Sequence, residues 1–415
     1  MQKETFKIFG IPVYSRSIDT GPLPNASEEW KKAIIGDDTD SGVNISVESG
    51  ITISAVWRAV NVVSGTLAFL PVGTFRKNEN GGRDSLPNHK VQELLDYPCD
   101  EMHGFTFRQT LQACKMLWGN GYALIGRKDG WANELIVVHP DDCEPMRDAQ
   151  GDIYYHIRID NKYFTFPSKD VIHLRGLGFD GLKGKSVIQI QRESLGLTKA
   201  AETYGARFFG KGTNMSGVIE VPGTLKDDVY NRLKESWEEK YRGLHRSHST
   251  PILEAGSTYK RIGIPPEDAQ FLQTRKFQLA EVARWYGVQP HLLFDLERST
   301  NNNIEHQGME FVTYTLAQEI ALWEGELRRK LFSSEQRKSH YVEFNINALL
   351  RADSQARAEY YSRMFSIAAM NPNQIRKLEN DPAYDGGDTY YVNSTNVPVD
   401  LIGKVHKEKL SKDEE

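Results

Sequence analysis

The stretch from Pro266 to Phe332 constrains this chain more than any other. An amphipathic helix reads from Pro266 to Tyr286 and ends in Gly287-Val288-Gln289-Pro290-His291-Leu292-Leu293-Phe294. A polar, asparagine-rich loop follows from Asp295 to Asn303, and a second helical pattern runs from about Ile304 to Phe332. Connections between packed helices are mostly about 2–8 residues long. A longer polar connection exceeds what joining two helices requires, so it implies a loop with a task of its own. That arrangement favours a mechanical part over a catalytic one.

Composition narrows the class. At 415 residues the chain is expected to hold about two to three domains. Its formal net charge of −5 excludes a globally basic nucleic-acid binder. No apolar run reaches the roughly 18 residues of a membrane span. Met1-Gln2-Lys3-Glu4 opens no secretory signal. Cys99, Cys114 and Cys143 form no CxxC pair. They read as buried small residues of a reducing compartment, not as ligands or nucleophiles.

The elements read in order. Residues 1–44 look loosely structured, and Gly36 to Gly42 has nothing to bury and is expected to stay mobile. Val56, Val60, Val63, Leu67 and Leu70 recur at helical spacing from Ser54, and Pro71 stops that helix. Phe105 to Trp118 is a second helix, with Leu111, Met116 and Leu117 apolar. Residues 120–175 read as a β meander: Gly121–Gly126, Glu134–His139, Asp152–Ile159, Tyr163–Phe166 and Val171–Leu174. Ile153, Tyr155, Ile157 and Ile159 lie on one face, and Asn161-Lys162 reads as a turn. Ser186 to Phe209 is a helix with small-residue patches. Met215–Val221, a helix opened by Thr224, and short strands at Pro251–Glu254 and Tyr259–Ile264 form a small β-α-β-β insert between two long helices. A strand at Tyr341–Ile346 and a helix at Asp353–Met370 follow. Asn371-Pro372-Asn373-Gln374 spells a helix start: N-cap, proline at the first helical position, glutamine at the third. Residues 401–415 form a charged tail. The fold class is α+β.

Candidates for chemistry fail on spacing. Gly181-Leu182-Lys183-Gly184-Lys185-Ser186 resembles half of a phosphate loop, but Phe179 stands where G-x-x-x-x-G-K-[ST] needs glycine. A flexible strand-to-helix turn explains it. His245, Arg246 and His248 sit in a polar segment with no cysteine to complete a metal site. No G-x-S-x-G and no H-E-x-x-H occurs. Glu305, Glu310 and Glu319 early in the last long helix, with Arg328, Arg329 and Lys330 at its end, suit macrodipole compensation. No catalytic residue, metal or cofactor is expected.

Six segments, in order, resemble one family. They are Ala55-Val56-Trp57-Arg58-Ala59-Val60 running to Leu70-Pro71-Val72, Trp118-Gly119-Asn120-Gly121-Tyr122-Ala123, and Asp170-Val171-Ile172-His173-Leu174-Arg175. Gly184-Lys185-Ser186-Val187-Ile188, Phe208-Phe209 through Ile219, and Ala283 to Leu293 complete the set. Together they are similar to HK97-type portal proteins of tailed bacteriophages over residues 50–400. Gln289 and Val187 replace prolines, and Phe294 a glycine, that the family often carries.

The resemblance implies a portal fold. It places a wing at 45–185, the first stem helix at 186–211, a clip at 212–264 and the second stem helix at 265–286. A tunnel loop follows at 287–303, then the long helix and wing return at 304–350 and a helical crown at 351–400. It implies a non-enzymatic ring of twelve copies at one vertex of the virion capsid, assembled in the host cytoplasm, with no membrane partner. Double-stranded DNA would pass through without sequence specificity during packaging and ejection. The terminase large subunit, the major capsid protein and scaffold, and a head–tail adaptor would be partners, with His245, Arg246 and His248 at the docking clip. Leu272, Leu279, Val282, Ala283 and Tyr286 would pack the stem against neighbouring copies. A tunnel must let DNA slide, whereas phosphate gripping by cations would hold it. Asp295 and Glu297 are therefore expected to keep the loop non-adhesive, and Arg298, Asn301, Asn302 and Asn303 to touch phosphates weakly.

Overall fold

The computed structural model describes residues 5–8, 11–14, 37–79, 82–210, 217–221, 227–231, 258–261, 268–295, 307–346, 348–349, 354–379 and 381–391. The chain divides into two units, residues 1–344 and 345–415.

In the first unit, β1 (Thr5–Ile8) and β2 (Ile11–Tyr14) form a hairpin, as do β3 (Asp37–Asp38) and β4 (Asn44–Ile45). The second hairpin corrects the expectation of a mobile segment at 36–42. Thr39 is buried, its hydroxyl donates to the Val43 carbonyl, and a Cβ at Gly196 would meet it at 2.5 Å. The hairpin thus docks on a glycine of a distant helix, a contact that local polarity does not reveal.

Helix α1 (Val47–Ile51) starts at a Ser46–Ser49 capping box and leads into α2 (Ser54–Phe69). The five apolar positions read from the sequence are all buried there: Val56, Val60, Val63, Leu67 and Leu70. Each large one stabilises the fold by about 1.5–3 kcal/mol. β5 (Val72–Lys77) and β6 (Arg83–Ser85) come next, then α3 (Lys90–Asp96) and α4 (Gly104–Trp118). Gly119 ends α4 at φ 77°, the left-handed cap that glycine takes most easily.

The strands that follow are β7 (Asn120–Lys128), β8 (Trp131–Val138), β9 (Cys143–Arg147), β10 (Ile153–Ile159), β11 (Lys162–Pro167) and β12 (Val171–Arg175). They are not one meander. They form two sheets, ordered β12-β7-β8 and β11-β10-β9. β9 escapes a sequence reading because Pro145 interrupts it, yet at a sheet edge the missing N–H is tolerated. Tyr122, Leu124, Val138, Cys143, Tyr155, Ile157, Phe166 and Val171 share one core, with Ile153 and Ile159 against it. The β10–β11 turn is Asp160-Asn161, both at positive φ, one residue earlier than expected.

Ser186 caps α5 (Val187–Ile190), and α6 (Arg192–Gly210) resumes after Gln191, whose ψ of 19° breaks the expected single helix. β13 (Gly217–Glu220) pairs with β14 (Thr258–Arg261), and residues 227–231 between them are helical. The expected strand at 251–254 lies outside the described residues. Helix α7 (Asp268–Tyr286) lies beside α6, where the Ser194 hydroxyl donates to Glu281 at 3.0 Å and Arg275 stands 3.6 Å from Glu202.

The last long helix carries a π segment at Phe311–Leu316 before α8 (Ala317–Leu331), with the Ala317 N–H reaching the Val312 carbonyl. Trp323 of α8 is fully buried between Phe107 and Phe344, and its indole N–H donates to Gln112. β15 (His340–Phe344) returns to pair with β5 in a sheet ordered β15-β5-β6. Glu319 does more than face a dipole: Lys115 of α4 binds it at 2.5 and 2.7 Å, and Gln112 donates to it. At the other end Arg328 donates to the Arg337 carbonyl and Lys330 to Ser168, so these cations make tertiary bonds too.

In the second unit, α9 (Ser354–Ser366) ends before the expected Met370, in a turn with Ala368 at φ 56°. α10 (Pro372–Leu378) starts as its sequence reads: Asn371 caps Gln374, and Gln374 bonds back to the Asn371 N–H.

Candidate functional site at the root of the polar loop

Two turns bracket the helices that the sequence singles out. The first, residues 176–186, feeds α5 and α6. Asn120 organises it. Its side-chain N–H groups donate to the Gly184 and Trp118 carbonyls, and its Oδ1 accepts the Gly184 N–H at 2.8 Å. Oδ1 also lies 3.0 Å from Nε2 of His173. Because that oxygen only accepts, the network assigns the proton to Nε2. Nδ1 then accepts from the Tyr155 hydroxyl, which in turn accepts from Arg175. Burial and the cations of Arg175, Lys330, Arg329 and Lys183 push the His173 pKa well below its ordinary value. The imidazole is a neutral structural link.

The same bonds dispose of the phosphate-loop reading. Asp180 accepts the Leu182 and Lys183 N–H groups, and Asn120 takes that of Gly184. The amides that would cradle a phosphate already donate to side chains of this protein. Nor is the turn loose, as its glycines suggested: a Cβ at Gly184 would sit 2.1 Å from the Gly119 carbonyl oxygen. The same turn holds Leu177 and Phe179 out in solvent.

The second turn follows α7 and opens the polar loop. The Val288 N–H reaches back to the Ala283 carbonyl. Gly287 has φ 64°, and its carbonyl accepts from the Thr315 hydroxyl in the π segment at 2.5 Å. Gln289 donates to Glu310 at 3.0 Å. Residues Pro290–Leu293 form a 3₁₀ turn capped by Phe294, whose φ of 65° is left-handed. That conformation costs a non-glycine residue about 1–2 kcal/mol. Arg58 of α2 closes the root: its Nε donates to the Leu292 carbonyl at 3.0 Å, and its guanidinium lies 4.7 Å from the centre of the Phe294 ring.

Of the residues singled out for the loop, Asp295 is half-buried beside this root, and its N–H donates to the Pro290 carbonyl. Glu297, Arg298, Asn301, Asn302 and Asn303 lie outside the described residues, as do His245, Arg246 and His248. The stem stripe needs correction. Val282, Ala283 and Tyr286 are buried within this chain, where α7 packs on α2. They cannot also face a neighbouring copy. Leu279 is half-buried, and the Leu272 side chain lies outside the described residues, while Phe277 is exposed. A four-residue stripe cannot say which partner covers it. Sequence reading missed Arg58, which stands far from the loop in the chain, and Thr315 in the helix that follows it. The one available signal was a phenylalanine at a position where glycine is common.

The family model described as "Phage portal protein" matches residues 54–380. This chain belongs to the phage portal protein family. It is 33% identical over 373 residues to the portal protein of Enterobacteria phage HK97, covering 88% of this chain and 86% of the relative. It is 30% identical over 390 residues to the probable portal protein of Streptomyces phage phiC31, covering 89% and 82%. Among solved structures, the fold resembles a chain from the neck of a native gene transfer agent particle computed with C12 symmetry. That match has a TM-score of 0.57 at 20% identity and covers 81% of this chain and 93% of the other. It also resembles an HK97-family phage portal protein from Corynebacterium diphtheriae, with a TM-score of 0.52 at 16% identity, covering 73% and 96%. The six sequence segments thus led to the right family.

Proposed function

We propose that this portal-family protein forms a ring of twelve copies at one capsid vertex of a virion and serves as the channel through which DNA enters and leaves. The family match over residues 54–380 carries this reading. The twelve-fold symmetry of the neck containing a similar chain supports the copy number. The paired helices α6 and α7 serve as the stem, and the β13–β14 hairpin with its intervening helix serves as the clip that docks a terminase and then an adaptor. Residues 287–303 act as the tunnel loop. The protein acts as a conduit and not as an enzyme. The bonding of the 182–184 amides to Asp180 and Asn120 supports this, since it removes the nearest approach to a nucleotide-binding loop. Phosphate contact in the tunnel is weak and blind to sequence, in keeping with an acidic chain that must release what it carries.

Electron micrographs of the purified protein test the ring: axial views with a central hole are expected, and a dispersed monomer at high concentration overturns it. Replacing Asp295 and Glu297 together by lysine is expected to slow packaging in vitro. Unchanged velocity and yield refute the non-adhesive loop. ATP hydrolysis by the purified chain would overturn the conduit reading.

A further inference from the structure

Five non-glycine residues among those described have positive φ: Asp129, Asp160, Asn161, Phe294 and Ala368. Asp and Asn enter this region readily because their short polar side chains bond locally, and alanine is small. Phe294 is the bulky exception. It is 74% exposed, so burial does not hold it there. A glycine would adopt the same backbone without strain and leave a free joint.

We propose that Arg58 is the positioning residue that locks this joint, and that Phe294 is present so that Arg58 has something to lock. The clasp has two points. Nε of Arg58 holds the Leu292 carbonyl, just before the turn, and the guanidinium face holds the ring of Phe294, at the turn itself. A single contact would let the chain pivot, whereas two on adjacent sides of one reversal fix its direction. The anchor is firm because Arg58 projects from a helix whose Val56, Ala59 and Val60 are buried. The exit is further set by the Phe294 and Asp295 N–H groups, which bond back to His291 and Pro290. The pin therefore sets the direction in which Asp295 leaves the root. Its value for DNA transport rests on reading residues 287–303 as the tunnel loop, but the geometry does not.

Hydrogen exchange on the full-length protein tests the pin. Arg58→Ala is expected to speed exchange of the Phe294 and Asp295 amides by about tenfold, which is what one charge-assisted hydrogen bond with an exposed cation–π contact is worth. Exchange within α4 and β7 should stay unchanged, which separates the effect from unfolding. Arg58→Lys, which keeps a cation over the ring, should recover part of the protection. Phe294→Gly should release the same two amides, and Phe294→Tyr should not. Exchange unchanged within twofold in Arg58→Ala overturns the pin. Packaging in vitro then separates the two readings. Faster exchange with slowed or irregular packaging supports both. Faster exchange with normal packaging keeps the pin and overturns the assignment of 287–303 as the tunnel loop.

Discussion

The turn at 176–186 and the turn at 287–295 do similar jobs by opposite means. The first leads into α5 and α6 and the second leads out of α7, and both reverse the chain beside a helix end. In the first, backbone meets backbone: Gly184 lies against Gly119 and Gly176, and the Asn120 side chain stitches the pieces together. Glycine there is a requirement of space. In the second, Phe294 is largely exposed, and only its φ is unusual. Glycine there would be a convenience of conformation, so a side chain can occupy the position if another residue makes use of it. Glycines packed against backbone can thus make a turn tight, while a position that carries a large side chain can hold an unusual backbone.

The contrast breaks most visibly at Gly184. Gly184→Ala drives a Cβ into backbone atoms that have no room to move, with an expected loss of about 4 kcal/mol, the exceptional range for one substitution. Urea denaturation measures it, and a loss below about 1 kcal/mol would remove the spatial requirement. Asn120→Ala comes next. It strands the Gly184 N–H, the Gly184 carbonyl and His173 Nε2 in a buried site, with an expected loss of about 3 kcal/mol.

Acid should act on the first turn through His173. His173 has its folded pKa held below the unfolded value, so the unfolded chain takes up the proton first as pH falls. Stability is therefore present above the ordinary histidine range and is lost as pH falls through about 6.5 and below. Between pH 7 and 5 this group is expected to lower the stability of the fold. Its neighbours reinforce the sign: Arg175, Lys330, Arg329 and Lys183 oppose a further cation, while Glu326 already accepts the His173 backbone N–H. A pH series comparing the parent with His173→Gln isolates the contribution, and equal slopes would show that His173 titrates normally. The smallest effect belongs to Phe294→Gly, whose relief of strain offsets the lost contact with Arg58. Its unfolding free energy should stay within about 0.5 kcal/mol of the parent.

Much of this architecture is legible in the chain itself, where the signal is local. The helix from Ser54 announces itself through Val56, Val60, Val63 and Leu67, and all four are buried. Asn371 to Gln374 spell a capping box that forms as written. Illegible features depend on partners far along the chain. Thr39 looked solvated because Gly196 is distant. β12 looked like the end of a meander because its pairing with β7 skips four strands. The π segment at 311–316 has no periodic mark.

The candidate site divides along the same line. That residues 266–332 contain two helices and an oversized polar connection follows from hydrophobic periodicity and composition, which report on one segment at a time. That six short segments belong to a portal protein follows from their order. Only the tertiary structure decided that Val282, Ala283 and Tyr286 of α7 are buried within the same chain. It alone decided that a broken phosphate loop is a stitched glycine turn, and that Arg58 reaches Leu292 and Phe294. These are contacts between surfaces that must be complementary in three dimensions, and a one-dimensional pattern gives each surface without its partner.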